Sequence, residues 1–322
     1  MSKPLQIRVR QSSPAWLAYR RTHIGSSDAP GIVGESPYSS ALSVYADKTG
    51  PAQEPDPGTA RLFRIGHAME PVILDLYEEE TGRKVRRSRV LESRDIPWLS
   101  ASLDGDAPGR VVEAKWTGTS RFNDGVPGDV LVQVIHQMAI AQLDRADVAV
   151  LTPRDFSIYT VDFDAAFWQH ILALETRFME DHLIPLIPPD PDETEASRRA
   201  IARMHPVDDG DMIEADPDMA TLIRKLLNGK DQLAALEAEV NGHENALRFL
   251  IGDHSGVNGP DFRVTYRKSA DSSRVAWTEY AGSLEGMILP ERLPEVEALR
   301  GIYTTVKQGP RRLLVTRQEA QG

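Results

Sequence analysis

The chain has 322 residues, 41% of them apolar and 26% charged, which is enough for one large domain or two smaller ones with a sizeable core. There is no cysteine, so disulfides, thiolate zinc sites and cysteine-ligated iron–sulfur clusters are excluded, and any metal must be held by oxygen or imidazole. The net charge of −11 argues against a general nucleic-acid coat but leaves room for a local basic channel. No apolar run approaches the ~20 residues of a membrane span, and Met1–Gln6 carries no apolar signal core. Neither secretion nor a membrane partner is expected.

Residues 14–23 read as a helix with Trp16 and Tyr19 available for packing. Ile24-Gly25-Ser26-Ser27-Asp28 then leads into Ala29-Pro30-Gly31. Small residues and hydroxyls at that point suit either capping or an anion at a helix N-terminus, and Arg20 or Arg21 nearby adds a guanidinium. Ser40 to Thr49 reads as a short helix stopped by Gly50, followed by a loop over residues 51–58. Arg61 to Gly82 is a second helical region. Pro71 fits a helix first turn, which places Glu70 at or just before an N-terminus, either as a cap or as an acid of a site. His67 reads as a hydrogen-bonded structural residue, and Glu78 to Glu80 as a solvated face.

Lys84 to Arg89 is a basic strand whose Arg86, Arg87 and Arg89 face either phosphate or water. Then comes Leu99 to Trp116, which reads as a hairpin turning at Asp106–Gly109. Glu113 and Lys115 are two apart in its return strand and share a face, and Asp104 ends the first strand close to that face. Two carboxylates can hold a hard divalent cation, and a lysine beside them can orient a water or stabilise charge on a phosphate. The other reading is an exposed hairpin edge with ordinary charges, because this triple is common. Residues 118–128, including Arg121, form a Gly/Pro-rich loop able to cover a substrate. Asp129 to Gln142 is an amphipathic helix on which Gln133 and Gln137 lie one turn apart and need partners if buried. Strands at Asp147–Leu151 and Phe156–Val161 and a helix from Ala165 to His182, capped by Asp164, complete this block.

Four prolines between Pro185 and Pro191 mark a boundary, giving a core at 1–190 and a second region at 191–322. From Met219 to Leu250, apolar residues recur at spacings of three and four, interrupted by Gly229 and His243. This heptad arm, at about 215–252, fits a helix packed within the chain or against DNA, a hairpin broken near Gly242, or a coiled coil between chains, the first being preferred. Strands are expected at Gly259–Arg267, Ser273–Trp277, Ile302–Lys307 and Arg311–Thr316, with a short helix near Pro294–Arg300. Lys268, Lys307, Arg311, Arg312 and Arg317 make this end locally basic.

In this order, several segments resemble the YqaJ-like viral recombinase family, relatives of lambda exonuclease in the PD-(D/E)XK nuclease superfamily. They are Trp16-x3-Arg20-x3-Ile24-Gly-Ser-Ser27-Asp, Gly34-Glu-Ser-Pro37-Tyr38, Gly66-His-Ala-Met-Glu70-Pro71, Leu103-Asp104-Gly105, Val112-Glu113-Ala-Lys115 and Gln133-x3-Gln137. They cover roughly residues 14–180. Gln137 departs from the pattern, since related nucleases often carry Tyr there, and the Asp104–Glu113 loop is short.

The resemblance implies an α/β fold: a central mixed β-sheet flanked by helices, a restriction-endonuclease-like core, extended by the long helix and a small β region. It implies a Mg²⁺-dependent DNA exonuclease, with Mn²⁺ as a substitute. Such an enzyme would degrade one strand of a linear duplex 5′→3′ and pass the 3′ tail to a single-strand annealing protein. Asp104, Glu113 and the Ala114 carbonyl would hold the metal, Lys115 would orient or activate water, and Glu70 would reach the metal or the water. Arg20 and Ser27 would grip a 5′-phosphate, with Gln133, and further Gln137 and Arg121, contacting the metal site or DNA. Alternatives are an endonuclease of the same superfamily or a non-catalytic DNA-binding phage factor. A homo-oligomer and a place in a bacterial host's cytoplasm, encoded by phage or prophage, belong to the same expectation.

Overall fold

The computed structural model describes residues 2–9, 13–51, 57–270, 274, 276–287 and 290–304. The chain divides into two compact units, Met1–Val207 and Asp208–Gly322.

The first unit is a mixed sheet with helices on both faces. Its strands are β1 (Leu5–Ile7), β2 (Ile24–Gly25), β3 (Arg86–Glu92), β4 (Leu99–Ala107), β5 (Arg110–Trp116), β6 (Arg145–Leu151) and β7 (Phe156–Asp162). They lie in the order β1-β3-β4-β5-β6-β7, with β2 joined to β4. The β5–β6 and β2–β4 pairs are parallel and the rest antiparallel. The central strands are covered on both faces and read as apolar runs, with Val111 and Val112 of β5 and Val148, Ala149 and Val150 of β6 all buried.

The helices are α1 (Pro14–Arg21), α2 (Ala29–Val33), α3 (Ala41–Thr49), α4 (Pro57–Thr81), α5 (Gly128–Ala141), α6 (Ala165–Phe178) and α7 (Glu195–Met204). On one face Ile73, Leu74 and Tyr77 of α4, at helical spacing, pack on Ala107, Val112 and Ala149. On the other, Val130, Val134, Ile135 and Met138 of α5 join Leu99, Ala101, Leu103 and Val148. Ser40 starts α3 with a reciprocal capping box to Ser43. Asp164 caps α6 by accepting from the Ala166 and Phe167 N–H groups, and a π-helical turn, Met179–Leu183, ends it.

Three sequence expectations change. Pro71 lies inside α4 rather than at its start, so Glu70 is a mid-helix residue and no cap. Proline there removes one helical hydrogen bond, and the burial of Ile73, Leu74 and Tyr77 just beyond it anchors the helix to the sheet. Arg86 and Arg89 both pair with buried Asp106, and Arg87 pairs with Asp75 at 2.6 Å, so acidic side chains of this chain occupy them. The first unit also runs past the proline-rich stretch, because α7 seats Ala200 against Leu42 and Ala46 of α3 and brings the hydroxyls of Ser40 and Ser197 to 3.1 Å.

The second unit holds α8 (Pro217–Ile251), the hairpin β8 (Gly256–Asn258) and β9 (Arg263–Thr265), α9 (Trp277–Glu285) and α10 (Leu293–Tyr303). The heptad arm is one continuous helix through Gly229 and Gly242, which removes the broken-hairpin reading. Trp277 begins a helix instead of ending a strand, and Ile302 closes α10. Residues 271–273, 275 and 305–322, on which the remaining C-terminal strand expectations and Lys307, Arg311, Arg312 and Arg317 fall, lie outside the described residues. Among the described residues no helix is long and apolar enough to cross a membrane.

Candidate active site

The site forms where β4 changes neighbours. Along one edge, β4 bonds to β2 at Leu99 and Ser100 and to β5 only from Gly105 onward. Residues 101–104 are left without a strand on that edge, while β3 covers the other. Helix α5 fills the gap from the side: His136 Nε2 lies 2.9 Å from the Ser100 carbonyl, and Gln137 Nε2 donates to the Ser102 carbonyl at 3.1 Å. At the end of the gap Asp104 Oδ2 accepts from the Ala114 N–H at 2.9 Å, taking the place of a ladder acceptor. A residue's N–H and C=O leave a strand on the same side, so the Ala114 carbonyl also points toward Asp104, beyond the last β4–β5 pair. Opposite Asp104, Ser88 adopts a left-handed φ of 51°, an unusual conformation for a residue with a side chain. Gly105 is required by contact: a Cβ there would clash with Val85 Cγ1.

Glu113 and Lys115 share a face of β5, as their spacing predicts. Glu113 is 2% exposed, and both oxygens of its carboxylate are hydrogen-bonded. Oε1 accepts from Lys115 Nζ at 2.6 Å and Gln133 Nε2 at 2.8 Å, and Oε2 accepts from Gln137 Nε2 at 2.7 Å. Lys115 Nζ donates a second bond to Gln133 Oε1 at 2.9 Å. Gln133 thus bridges the acid and the lysine, which fixes its amide orientation. Gln137 Oε1 is buried with no partner.

Glu70 stands on α4, on the opposite face of the sheet from α5, within the electrostatic influence of Glu113 and Lys115. Burial raises its pKa, the negative charge of Glu113 raises it further, and His67 and Lys115 oppose the shift. His67 itself is exposed and stands 3.8 Å from the Glu70 carboxylate. Asp104 is pushed well above the usual carboxylate range by burial and then by the charges of Glu113 and Glu70. Burial would lower the pKa of Lys115, but Glu113 and Asp104 outweigh it and raise the ammonium's pKa.

The predicted anion contacts meet at a second cluster. Arg20 Nη2 donates to Ser27 Oγ at 3.1 Å and to Asp28 Oδ1 at 2.8 Å. Asp28 sits at the N-cap position of α2 but makes no capping bond. Its Oδ2 accepts instead from the Gly25 N–H at 2.9 Å and from Lys48 Nζ at 2.8 Å. Lys48 also donates to the carbonyls of Arg20 and His23. Burial would raise the pKa of Asp28, yet Lys48 and Arg20 hold it far below the carboxylate range. Gly25 pairs with Ser100, four residues before Asp104, or about 13 Å along β4 at the usual strand rise.

Lys48 was missed in the sequence. It shares the buried face of α3 with Val44 and Tyr45, and a lone lysine in that phase was the available signal. His136 was missed too. Fully buried, it bonds Glu175 at 2.8 Å and Ser100 with its two ring nitrogens, one residue from Gln137. Arg121, on the loop before α5, pairs with Asp129 at 2.5 Å and lies over the rings of Tyr38 and Phe122.

Among the described residues no three Asp, Glu or His side chains are gathered tightly enough to form a metal cage. The donor set fits a different arrangement. Asp104, Glu113 and Glu70 against the one ammonium of Lys115 leave an excess of negative charge in a buried setting. A Mg²⁺ ion characteristically takes one or two carboxylates and keeps waters or substrate phosphates in its other positions.

Residues 15–144 match the model of the YqaJ-like viral recombinase domain. The chain is 24% identical over 266 residues to the uncharacterized protein YqaJ of Bacillus subtilis (strain 168), an alignment covering 78% of this chain and 83% of that one. Among solved structures, it is similar to an alkaline exonuclease (LHK-Exo) from Laribacter hongkongensis, with a TM-score of 0.46 and 19% identity over 60% of this chain and 100% of that one. It is also similar to a phage related exonuclease from Haemophilus somnus 129PT, with a TM-score of 0.40 and 13% identity over 51% of this chain and 95% of that one. The match to that family model spans both clusters, from Trp16 to Gln137.

Proposed function

We propose that this chain is a Mg²⁺-dependent nuclease that digests linear double-stranded DNA from 5′ ends. The observation that carries the reading is the convergence of Asp104, Glu113 and Lys115 at the point where β4 and β5 part. The family match over the same residues supports it.

Asp104, Glu113 and the Ala114 carbonyl would hold Mg²⁺, or Mn²⁺ in its place, with Glu70 as a further carboxylate. Bound there, the ion supplies charge stabilisation at the scissile phosphate and a more acidic water. Lys115 spends two of its three N–H groups on Glu113 and Gln133 and keeps the third for the attacking water or a phosphate oxygen. Gln133 and Gln137 hold the Glu113 carboxylate in one orientation, so the reacting groups need no rearrangement. Arg20 and Ser27 would take the terminal 5′-phosphate, and Arg121 would contact DNA from the loop. The product is a 3′ single-stranded tail, the substrate of an annealing protein in phage recombination within a bacterial cytoplasm.

The test is digestion of linear duplexes labelled at the 5′ or the 3′ end, with and without Mg²⁺, beside a covalently closed circle. Early release of the 5′ label, dependence on Mg²⁺ and an intact circle are expected. Cutting of the circle would establish an endonuclease instead, and an inert protein that still retains DNA would establish a binding factor.

A further inference from the structure

Helix α8 is 35 residues long, and only Ile251 of it is buried. Among the described residues nothing covers its heptad seam, and Leu222, Leu233 and Leu236 are each more than half exposed. Leu233, Leu236 and Val240 line a shallow groove at its middle. Isolated helices gain little from propensity alone, and Gly229 and Gly242 weaken this one further. Such a seam calls for a partner helix.

We propose that α8 pairs with the α8 of a second copy of this chain as an antiparallel two-stranded coiled coil. Two independent features of the sequence on this helix choose the partner and the direction.

The first is the pattern of weak positions. Taking Met219 as a and Leu222 as d, Gly229 and His243 fall at d. A parallel pair in register would face Gly229 with Gly229 and His243 with His243, giving one hole and one polar layer. The antiparallel pair places each a position opposite a d whose numbers sum to the same value. Val240 then fills the space at Gly229 of the other copy, Leu226 meets His243, and Leu233 meets Leu236. Large faces small, and no polar side chain faces its own kind.

The second is charge. The charged residues at the flanking e and g positions are Asp218, Lys225, Lys230, Glu237, Glu239 and Glu244. Parallel pairing brings Lys225 against Lys230 and Glu239 against Glu244, both repulsive. Antiparallel pairing in the same register brings Lys230 against Glu237, an attraction doubled by the twofold axis, and sets Lys225 against Ala246 and Glu239 against Gln232, with no like charges opposed within α8.

The full-length chain is tested by light scattering at micromolar concentration, with far-UV circular dichroism as a check on folding. A dimer is expected for the native protein, and a folded monomer for Leu233→Asp combined with Leu236→Asp. Lys230→Glu should weaken the dimer at least tenfold, and adding Glu237→Lys should restore it. The absence of cysteine permits a direct reading of direction. Under oxidation Leu222→Cys chains should cross-link to Leu247→Cys chains and not to each other. A monomeric native protein, a stoichiometry other than two, a tighter dimer in Lys230→Glu, or cross-linking of Leu222→Cys to itself would each overturn the proposal. So would a native monomer whose DNA retention is lost in the double aspartate variant, which would make α8 a DNA-binding arm.

Discussion

The Nζ of Lys48 lies 2.8 Å from Oδ2 of Asp28, and this buried pair sets the charge that Arg20 presents to the solvent. Asp28 binds both cations, so the cluster of Arg20, Lys48 and Asp28 keeps one net positive charge at Ser27.

Lys48→Met removes that surplus and leaves Asp28 to neutralise Arg20 alone. We predict about a tenfold loss of preference for 5′-phosphorylated over 5′-hydroxyl ends, about 1.4 kcal/mol of binding. The fold should lose about 3 kcal/mol, as when one partner of a buried pair is removed. Adding Asp28→Asn should restore the end preference, because Arg20 is again unopposed. Competition digests of the two duplexes read the first effect and urea denaturation the second.

Asp104→Asn and Glu113→Gln should each lower the cleavage rate by about 10³-fold or more, in line with the loss of a principal charge-stabilising group. Thermal melts separate their role from that of Lys115. Mg²⁺ or Mn²⁺ should raise the melting temperature of the native protein and of Lys115→Met, since Lys115 is not a ligand. It should leave Asp104→Asn and Glu113→Gln unchanged. A metal shift that survives in Asp104→Asn would remove that residue from the site.

Gln137→Ala should weaken metal affinity by about 10–100-fold without abolishing the maximal rate at saturating metal. It frees Glu113 Oε2 and leaves the Ser102 carbonyl, its other partner, unbonded. Titration of activity against Mg²⁺ measures the shift, and an unchanged midpoint would refute it.

His136 supplies a pH dependence of stability. Glu175 faces it from α6, the Ser100 carbonyl from β4, the Trp168 edge from α6 and the charge of Asp28 from the start of α2. Burial opposes the charged form, but Glu175 and these neighbours prevail and raise the pKa above its ordinary 6.5. A group with a raised folded pKa stabilises fully below its unfolded value and loses that contribution as pH climbs through the folded one. Stability should therefore fall as pH rises above 6.5. Glu175→Gln should flatten this slope and destabilise the fold by about 3 kcal/mol at pH 6, measured by urea denaturation across pH.

Gly105→Ala should destabilise the protein by about 1–3 kcal/mol, since the new methyl meets Val85 across the sheet. The shift of β4 would also move Asp104, so activity should fall more than the residual folded fraction explains.

The sequence by itself determined the local facts of this protein. Period-two and helical spacing placed β5, β6, β7, α3 and α5 within a residue or two, because a face that must be buried writes its period into the chain. The same spacing put Glu113 beside Lys115 and Gln133 one turn from Gln137. What the sequence could not decide were partnerships between distant segments. Pro71 signalled a helix start, yet the packing of Tyr77 and its neighbours on the sheet carried α4 straight through it. Arg86 and Arg89 had the composition of a phosphate contact, and Asp106 on the adjacent strand claimed both. Lys48 went unnoticed because its three partners, the Arg20 and His23 carbonyls and the Asp28 carboxylate, come from distant positions in the chain. The gap in β4 is the clearest case. Only the sheet order reveals that β2 and β5 share one edge and leave residues 101–104 open between them. Spacing along a chain fixes which side chains share a face; where backbone hydrogen bonds run out, and so where carboxylates and amides can converge, is settled only when the strands choose their neighbours.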